Sequence, residues 1–388
     1  MKKVLLTGAT GFLGGELLVL LSKKQDIEKI YCLVRANSTE EAVLRIAHVF
    51  ELHGDFFDRS KVIPILGNMM DEFLCDKLRA SKELEEVNIV VHSAANTSFS
   101  RRYDNMVKKT NIGGTNQILE WSKSLKNLEM FVYVGTATIC GKDTTNRVIF
   151  EDESPDENAH QLVTYSYTKS VGEINVRAVI PTEKLLVVRP SIIMGDSRNI
   201  IPRSYVIMWA FASFELMRII PMHENLGLDI VPVDYTAEAI VNLMFCCNRH
   251  YDTYHISAGK ESATTMGMIM SALEDSKNGP PCRFVPYESV AMLRKWSRNR
   301  LDEHDPFFAG NVAYFVHMKE KLGHNGNLRI LLGALDAYYR FGNLGQVFDN
   351  ARMIDDTGMS LPEPAHIYMG RSKHLLANID VLEGALDP

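Results

Sequence analysis

A tyrosine and a lysine four residues apart, Tyr165 and Lys169, are the pair in this sequence best suited to proton transfer. On a helix, residues at i and i+4 share one face, so the phenol and the ammonium would lie side by side. A free phenol has a pKa near ~10, and a neighbouring cation favours the phenolate and lowers that pKa. The pair therefore predicts a proton donor for neutral pH. Tyr167 lies on another face, and we assign it to packing or substrate contact.

Hydroxyl residues follow an apolar run upstream of this pair. The run ends at Gly135, and Thr136 and Thr138 come directly after it. At the carboxyl edge of a parallel sheet, where open α/β sheets bind ligands, a hydroxyl can donate to a carbonyl oxygen that gains negative charge. We assign that role to Thr136. The alternative, that both threonines only satisfy backbone groups at a strand end, stays open.

Three glycines near the amino end, Gly8, Gly11 and Gly14, lie between an apolar strand candidate and an apolar helix candidate. Strand, glycine turn and helix in this order form a phosphate cradle, because glycines let backbone N–H groups approach a pyrophosphate at the positive end of the helix. The spacing differs from the Gly-x-Gly-x-x-Gly of many dehydrogenases, but the flanking segments fit. The turn predicts a dinucleotide site.

The composition describes a globular chain of 388 residues, with 46% apolar residues and a net charge of −6. This balance gives no basis for a nucleic-acid partner. The six cysteines show no Cys-x-x-Cys spacing, which indicates reduced thiols, a cytoplasmic location and no metal site. The apolar segment 205–220 contains Glu215 and Arg218 and is short for a bilayer span, so we expect a buried helix and no transmembrane segment.

Apolar runs alternate with helix candidates over the first two-thirds of the chain. The strand candidates are 3–7, 29–34, 62–66, 88–92, 129–135 and 184–189, and the helix candidates are 12–24, 39–53, 70–80, 104–126 and 161–180. Uninterrupted apolar strands are typical of a parallel sheet covered on both faces. The expected fold is α/β, a Rossmann-type doubly wound parallel sheet with a mainly helical C-terminal substrate lobe.

We expect residues 1–260 to form an NADP-binding Rossmann domain and residues 261–388 a mainly helical substrate-binding lobe, to which 200–228 also contributes. Beyond about residue 260 the alternation gives way to helix candidates at 286–298, 311–322 and 327–341.

The glycine turn, Thr136, Tyr165 and Lys169, in this order, resemble the extended short-chain dehydrogenase/reductase family. Three further segments support the resemblance: His92-Ser-Ala-Ala95, Asn111-Ile-Gly-Gly-Thr115 and Arg189-Pro190-Ser191. The resemblance implies that Thr136, Tyr165 and Lys169 are catalytic, with Lys169 also anchoring the cofactor ribose. It implies cofactor contacts from Thr7, Gly8, Thr10, Gly11, Phe12, Leu13, Gly14, Asn68, Met69, Ser93, Ala94, Ala95, Asn111, Tyr165, Lys169, Pro190, Ser191 and Ile192.

The end of the second strand candidate distinguishes between the two nicotinamide cofactors. NAD enzymes place a carboxylate there on the ribose 2′-hydroxyl, whereas NADP enzymes accommodate the 2′-phosphate with arginine. This chain has Arg35 there and no carboxylate until Glu40. Arg35 can form a charge-assisted contact with a phosphate, and Arg45 can add a second cation unless it faces solvent. The sequence therefore favours NADPH.

Three segments are similar to one branch of that family, the thioester reductases: 32–45, 92–99 and 229–235. The branch contains fatty acyl-CoA reductases of the male-sterility type and the terminal reductase domains of carboxylic acid reductases and peptide synthetases. The resemblance implies NADPH-dependent reduction of an acyl thioester to the aldehyde, with further reduction to the alcohol left open. Asn68 departs from the aspartate usual in the branch.

The resemblance implies that acyl-CoA or an acyl or peptidyl carrier protein is the thioester donor. Because the glycine turn begins at residue 8, we expect no adenylation or carrier domain before it. The apolar helix candidate 205–220 suits an acyl-chain wall or an ordinary core helix.

Two alternatives stay open. One is an extended short-chain enzyme acting on a nucleotide sugar or a hydroxysteroid-like substrate, against which Arg35 argues. The other is a cofactor sensor without chemistry, against which the Tyr165–Lys169 pair argues.

Overall fold

The computed structural model describes residues 1–198, 208–275, 279–300, 302 and 304–386. Residues 205–207 of the expected buried helix lie outside these ranges. The main elements up to residue 198 are β1 (Lys2–Thr7), α1 (Phe12–Ser22), β2 (Ile27–Val34), α2 (Thr39–Leu52), β3 (Val62–Leu66), α3 (Leu74–Ala80), β4 (Ile89–His92), α4 (Asp104–Lys108), α5 (Thr115–Ser122), β5 (Met130–Val134), β6 (Val148–Ile149), α6 (Thr164–Val179), β7 (Leu185–Pro190) and β8 (Ile192–Ile193).

Short strands and helices make up the described residues after 207. They are α7 (Met208–Met217), β9 (Ile219–Ile220), β10 (Gly227–Leu228), β11 (Ile230–Val231), α8 (Val233–Phe245), β12 (Thr253–Ile256), α9 (Gly259–Ser262), β13 (Thr264–Thr265), α10 (Met266–Leu273), β14 (Arg283–Phe284), α11 (Val290–Trp296), α12 (Pro306–Ala309), α13 (Val312–Leu322), α14 (Asn325–Ala334), α15 (Asp336–Gly342), β15 (Val347–Phe348), α16 (Ala351–Thr357), α17 (Ala365–Arg371) and α18 (Val381–Leu386).

A seven-stranded parallel sheet organises the first part of the chain, in the order β3-β2-β1-β4-β5-β7-β12. The strand order reverses between β1 and β4, and ligands bind at such a switch point in open α/β sheets. The predicted doubly wound Rossmann-type fold is therefore confirmed. The edge strand β12 is absent from the expected strands because Thr253–Ile256 is short and carries Thr and His.

Helices cover both faces of the sheet, which explains the apolar runs. Val4 and Leu6 on β1 pack into a hydrophobic cluster with α1, α2 and α8. Leu5, between them, belongs to the cluster formed with α3, α5 and α6 on the opposite face. All three side chains are buried because successive strand residues point to opposite faces and each face has helices on it.

The helix expected over 104–126 is interrupted. The chain forms α4, then a π-helical turn over Lys109–Gly114, then α5. Within the turn, Gly114 lies against Met69, where a Cβ would come 2.6 Å from the Met69 carbonyl oxygen. Such insertions recur at functional sites, and this one carries Asn111.

A second hydrophobic cluster forms the mainly helical C-terminal part. Helix α7 is buried in it, as expected for 208–217, together with residues of α10, α13, α14 and α17. Two elements of the same stretch pack outside this cluster: β15 pairs with β6 in a separate two-stranded sheet, and Met353 of α16 joins the cluster of α1 and α8. Within the described residues, none of the helices has both the length and the apolar character needed to span a membrane.

A buried ion pair joins α6 to β7. The Arg189 guanidinium donates from Nε and Nη2 to the two Glu173 carboxylate oxygens at 3.0 and 2.7 Å, and both side chains are buried. Arg177, half-buried, adds a hydrogen bond to Glu173 at 3.0 Å. Glu173 lies one turn beyond Lys169 on α6, so this pair helps to fix the helix that carries Tyr165 and Lys169.

Replacing Glu173 with glutamine should lower the free energy of unfolding by about 3 kcal/mol, because the Arg189 cation would remain buried without a carboxylate. Urea denaturation of Glu173→Gln measures this change. Glu183→Gln, at an exposed position after α6, is the matched control and should stay within about 0.5 kcal/mol of the unsubstituted protein. A loss below about 1 kcal/mol for Glu173→Gln would contradict the assignment.

Candidate active site

The glycine turn lies between β1 and α1 and faces the loop after β4. Gly8 has φ +76°, and a Cβ there would come 2.8 Å from the Ala94 amide nitrogen. A Cβ on Gly14 would overlap the Gly8 carbonyl, so these two positions require glycine. The Gly11 amide donates to the Gly8 carbonyl at 2.8 Å and closes the turn. The result is a tight backbone cradle at the amino end of a helix, where anions bind.

Buried side chains form a series of hydrogen bonds that leads from this turn through the sheet. The Ala94 amide donates to Thr7 Oγ1 at 3.1 Å, and Thr7 Oγ1 lies 2.9 Å from His92 Nδ1. On the other side of the ring, His92 Nε2 lies 2.9 Å from Thr115 Oγ1. Thr115 in turn donates to the Asn111 carbonyl at 2.5 Å.

The same chain of hydrogen bonds reaches the helix of Tyr165. Asn111 Nδ2 donates to the Asn96 carbonyl and to Thr168 Oγ1, each at 2.9 Å. Thr168 Oγ1 donates to the Tyr165 carbonyl at 2.8 Å. Both amide hydrogens of Asn111 are therefore used within the protein, and its side chain positions α6 rather than offering these donors to a cofactor.

His92 is held neutral in one tautomer. Burial lowers the pKa of His92 to about 3, with the Lys169 charge adding to the effect. Because Thr115 gives its single hydroxyl hydrogen to the Asn111 carbonyl, the ring must donate from Nε2 to Thr115 and accept at Nδ1 from Thr7. Every hydrogen bond from the Ala94 amide to Thr115 then has a fixed direction.

Thr136 and Tyr165 lie together, as their assignment to one reaction centre requires. Burial raises the pKa of Tyr165 to about 12, and a hydrogen bond with the Thr136 hydroxyl opposes this rise. Thr136 Oγ1 also lies 3.1 Å from Thr138 Oγ1, which in turn is 3.3 Å from Ser166 Oγ. A short group of hydroxyls therefore lines the carboxyl end of β5.

The Lys169 side chain is directed at the strand end rather than at the phenol. Its Nζ donates to the Val134 carbonyl at 2.5 Å and lies 4.7 Å from the centre of the Tyr133 ring. Burial lowers the pKa of Lys169 to about 7, while Glu173 opposes this effect. The expected lowering of the Tyr165 pKa by Lys169 is therefore not seen, because burial outweighs any nearby charge.

Arg35 and Arg45 lie together beside the glycine turn. Arg35 is exposed directly after β2, which pairs with β1. Arg45 is half-buried: it donates to the Arg35 carbonyl and reaches Thr10 Oγ1 at 3.4 Å. Arg45 thus lies between the turn and the end of β2 rather than in open solvent, where it could contribute to a phosphate site.

The remaining predicted contacts surround the same edge of the sheet. Ser93, Ala94 and Ala95 follow β4, and Asn68 and Met69 follow β3, where Asn68 Oδ1 accepts from the Met70 amide at 3.0 Å. Pro190 ends β7, Ser191 donates its amide to the Ile256 carbonyl, and Ile192 begins β8. Leu13 is in the core and Phe12 packs against it, so only their backbone faces the turn.

Sequence reasoning missed an aromatic wall next to Tyr165. The Phe99 ring lies 6.0 Å from Tyr165 and 5.3 Å from both Tyr338 and Phe341 of α15. Trp209 of α7 meets Tyr338 edge-on at 5.3 Å. The wall joins the C-terminal helices to the reaction centre and offers an apolar surface to a substrate. Its members are far apart in sequence, and only the presence of Phe99 near the fourth strand candidate signalled it.

Together these parts fit a nicotinamide dinucleotide. The cradle that a Cβ at Gly8 or Gly14 would fill suits a pyrophosphate, and the exposed Arg35 suits a ribose substituent. The Thr136 and Tyr165 hydroxyls lie across the switch point from the cradle, beside the strand end that binds ligands in this fold.

Known proteins share this sequence pattern and architecture. The family model described as male sterility protein matches residues 6–240. A chloroplastic fatty acyl-CoA reductase 2 of Arabidopsis thaliana is 35% identical over 156 residues, covering 36% of this chain and 25% of that protein. Human fatty acyl-CoA reductase 1 is 29% identical over 276 residues, covering 60% of this chain and 52% of that protein. The chain therefore spans about a quarter of the length of the first relative and about half of the second.

Solved structures share the fold over nearly the whole chain. The terminal R domain of the myxalamid PKS-NRPS biosynthetic pathway superposes with a TM-score of 0.73 at 22% identity, covering 97% of this chain and 91% of that one. The likeness includes the C-terminal helices as well as the sheet.

The stability of the protein should fall below pH 6.5 in a way that depends on His92. The folded state keeps His92 neutral down to a pKa of about 3, whereas the unfolded chain takes up a proton near pH ~6.5. The contribution is thus complete above pH ~6.5 and is lost as the pH falls, by roughly 2 kcal/mol at pH 5. His92→Gln should flatten the profile between pH 7 and 5, measured by urea denaturation.

The exposed His48 provides the control, and His48→Gln should keep the original pH dependence. If His92→Gln and the unsubstituted protein lose stability in parallel from pH 7 to pH 5, His92 is not held neutral.

Proposed function

The chain belongs to the male sterility protein family and binds a nicotinamide dinucleotide, and on this basis we propose that it reduces an acyl thioester to an aldehyde with NADPH. The observation that carries the proposal is the Thr136–Tyr165 hydroxyl pair across the β1/β4 switch point from the glycine cradle, with an aromatic wall beside it. The similarity to fatty acyl-CoA reductases supports a thioester as the substrate.

When bound, the reduced nicotinamide supplies a hydride to the carbonyl carbon. The Thr136 and Tyr165 hydroxyls donate hydrogen bonds to the carbonyl oxygen as it gains negative charge, and Tyr165 then gives up its proton to that oxygen. Lys169, one turn along α6, holds its Nζ on the Val134 carbonyl at the end of β5, where we assign it to anchoring the cofactor ribose. The tetrahedral product then breaks its C–S bond: the thiolate leaves, and the hydroxyl proton returns to Tyr165. A hydride from a second reduced cofactor and a proton from Tyr165 that stays on the product would convert that aldehyde to the alcohol.

We propose NADPH rather than NADH because two arginines lie where a ribose 2′-phosphate would be placed. Arg35 is exposed at the end of β2, and Arg45 lies between it and Thr10. A planar guanidinium can form paired, charge-assisted hydrogen bonds with a phosphate.

We further propose that the C-terminal residues from 261 onward, with α7, bind the substrate, and that the thioester is carried by coenzyme A or a carrier protein. Tyr338 and Phe341 of α15 and Trp209 of α7 form the wall on the lobe side of Tyr165. A cytoplasmic location is proposed from the six cysteines, all of which are free thiols.

Removing the Tyr165 hydroxyl should abolish thioester reduction while leaving cofactor binding intact. Tyr165→Phe is expected to lower kcat at least ~100-fold, because the proton donor is lost. NADPH consumption with medium- and long-chain acyl-CoAs measures the effect. Tyr167→Phe, an exposed tyrosine two positions along the same helix, is the matched control and should keep full activity.

Turnover with UDP-sugars or hydroxysteroids but with no thioester would overturn the proposal in favour of another extended short-chain reaction. Tight NADPH binding without turnover of any of these substrates would instead indicate a sensor.

Arg35 should determine the preference between the two cofactors. Arg35→Ala is expected to raise the KM for NADPH at least ~10-fold and to leave that for NADH unchanged, because only NADPH carries the phosphate. Steady-state kinetics with both cofactors test this, with Arg59→Ala, an exposed arginine after α2, as control. Equal effects on the two cofactors would contradict the assigned role.

A further inference from the structure

Four exposed cations gather at the end of α11 on the C-terminal lobe. They share one surface and are Lys295, Arg298, Arg300 and Arg329, called here the α11 cation cluster. Within the part of the chain that the structure describes, none of the four forms an ion pair, whereas neighbouring Arg294 pairs with Asp336 at 2.9 Å. The four cations therefore form a locally positive surface on a chain of net charge −6.

The cluster surrounds two adjoining cavities. One, of about 510 Å³, is lined by Lys295 and Tyr287, the other, of about 600 Å³, by Arg329, and both include Arg298 and Arg300. These volumes are of the size of small-molecule sites.

The turn that presents the arginines is held in place by its own hydrogen bonds. The Arg300 amide donates to the Lys295 carbonyl at 2.9 Å, and Asn299 adopts a positive φ of 55°. Asn325 Nδ2, from α14, donates to Asn299 Oδ1 at 2.6 Å. The guanidinium groups therefore project from a defined turn.

Helix α15 connects the cluster to the reaction centre. On its outer side, Asp336 accepts from Arg294 and, at 3.1 Å, from the Tyr287 hydroxyl of the first cavity. On its inner side, Tyr338 and Phe341 contact Phe99, which contacts Tyr165. Asp336 thus faces a residue that lines the first cavity, while Tyr338 and Phe341 of the same helix face Phe99 beside Tyr165.

We propose that the α11 cation cluster binds the phosphate groups of coenzyme A and so holds the donor of the thioester. This inference rests on the proposed function. Coenzyme A carries a diphosphate and a 3′-phosphate, roughly four negative charges at neutral pH, against the four cations of the cluster. Its pantetheine arm is as long as about four extended residues, roughly 14 Å, and separates the thioester from the phosphates.

Charge favours coenzyme A over a carrier protein as the occupant. The prosthetic arm of a carrier protein holds a single phosphodiester, which would leave most of the cluster without a counter-charge.

Calorimetric titration of the full chain with free coenzyme A tests the inference without needing turnover. Reversing three charges, in Lys295→Glu/Arg298→Glu/Arg300→Glu, should weaken binding at least ~10-fold, since hydrogen bonds between charged groups are lost. All three side chains are exposed, so the fold should be retained. Lys126 is exposed on the loop before β5, at the amino-terminal end of the parallel strands. The control variant Lys126→Glu should bind coenzyme A as the unsubstituted protein does.

Two comparisons make the assignment specific to phosphate. Pantetheine, which lacks phosphates, should bind weakly and equally to all variants. In turnover, the triple variant should raise KM for an acyl-CoA at least ~10-fold with kcat unchanged, and leave kcat/KM for the N-acetylcysteamine thioester of the same acyl group unaltered.

Equal affinity of the triple variant and the unsubstituted protein for coenzyme A would overturn the inference, as would equal affinity for pantetheine and coenzyme A. The inference would also be overturned if the triple variant impaired turnover of a carrier-protein thioester but not of an acyl-CoA. If coenzyme A binds and its binding depends on the cluster, but no thioester is reduced, the proposed function is contradicted and this inference is not.

Discussion

A single directed chain of hydrogen bonds joins the two halves of the candidate site. It runs from the Ala94 amide through Thr7, His92, Thr115, Asn111 and Thr168 to the Tyr165 carbonyl. Each hydroxyl and the neutral imidazole has one proton to give, so no link can reverse without leaving a buried group unpaired. These hydrogen bonds fix the glycine turn relative to the helix of Tyr165, and the geometry of the proposed reaction depends on that arrangement.

Two further contacts fix the position of α6. The Glu173–Arg189 pair holds the far end of α6 on β7, and Phe99 connects Tyr165 to the aromatic residues of α15. Through α15 the C-terminal lobe contacts Phe99 beside Tyr165 and, on its other side, Arg294 and Tyr287 next to the α11 cation cluster. The sheet thus carries the glycine cradle and the proposed proton donor, while the lobe carries the apolar and cationic surfaces that we propose for an acyl-CoA.

Much of this architecture can be predicted from local patterns in the sequence. Strands buried on both faces appear as apolar runs, and Tyr165 and Lys169 are recognisable by their helical spacing alone. The π-helical turn at 109–114 and the aromatic wall are not visible in this way, because each depends on contacts between distant segments. The raised pKa of Tyr165 likewise follows from burial. The run 294–300 shows its cations in the sequence, but such runs usually face solvent, and only the surrounding cavities distinguish it.

In the proposed reaction, a hydride passes from the bound cofactor to the carbonyl carbon of an acyl thioester held at Thr136 and Tyr165. NADPH carrying deuterium on one face of nicotinamide C4, and then on the other, tests it directly when incubated with an acyl-CoA. Mass spectrometry of the aldehyde should find deuterium at C1 from one of the two labelled cofactors and none from the other. A reduced product, aldehyde or alcohol, that is free of deuterium with both cofactors, or no reduced product at all, would contradict the account.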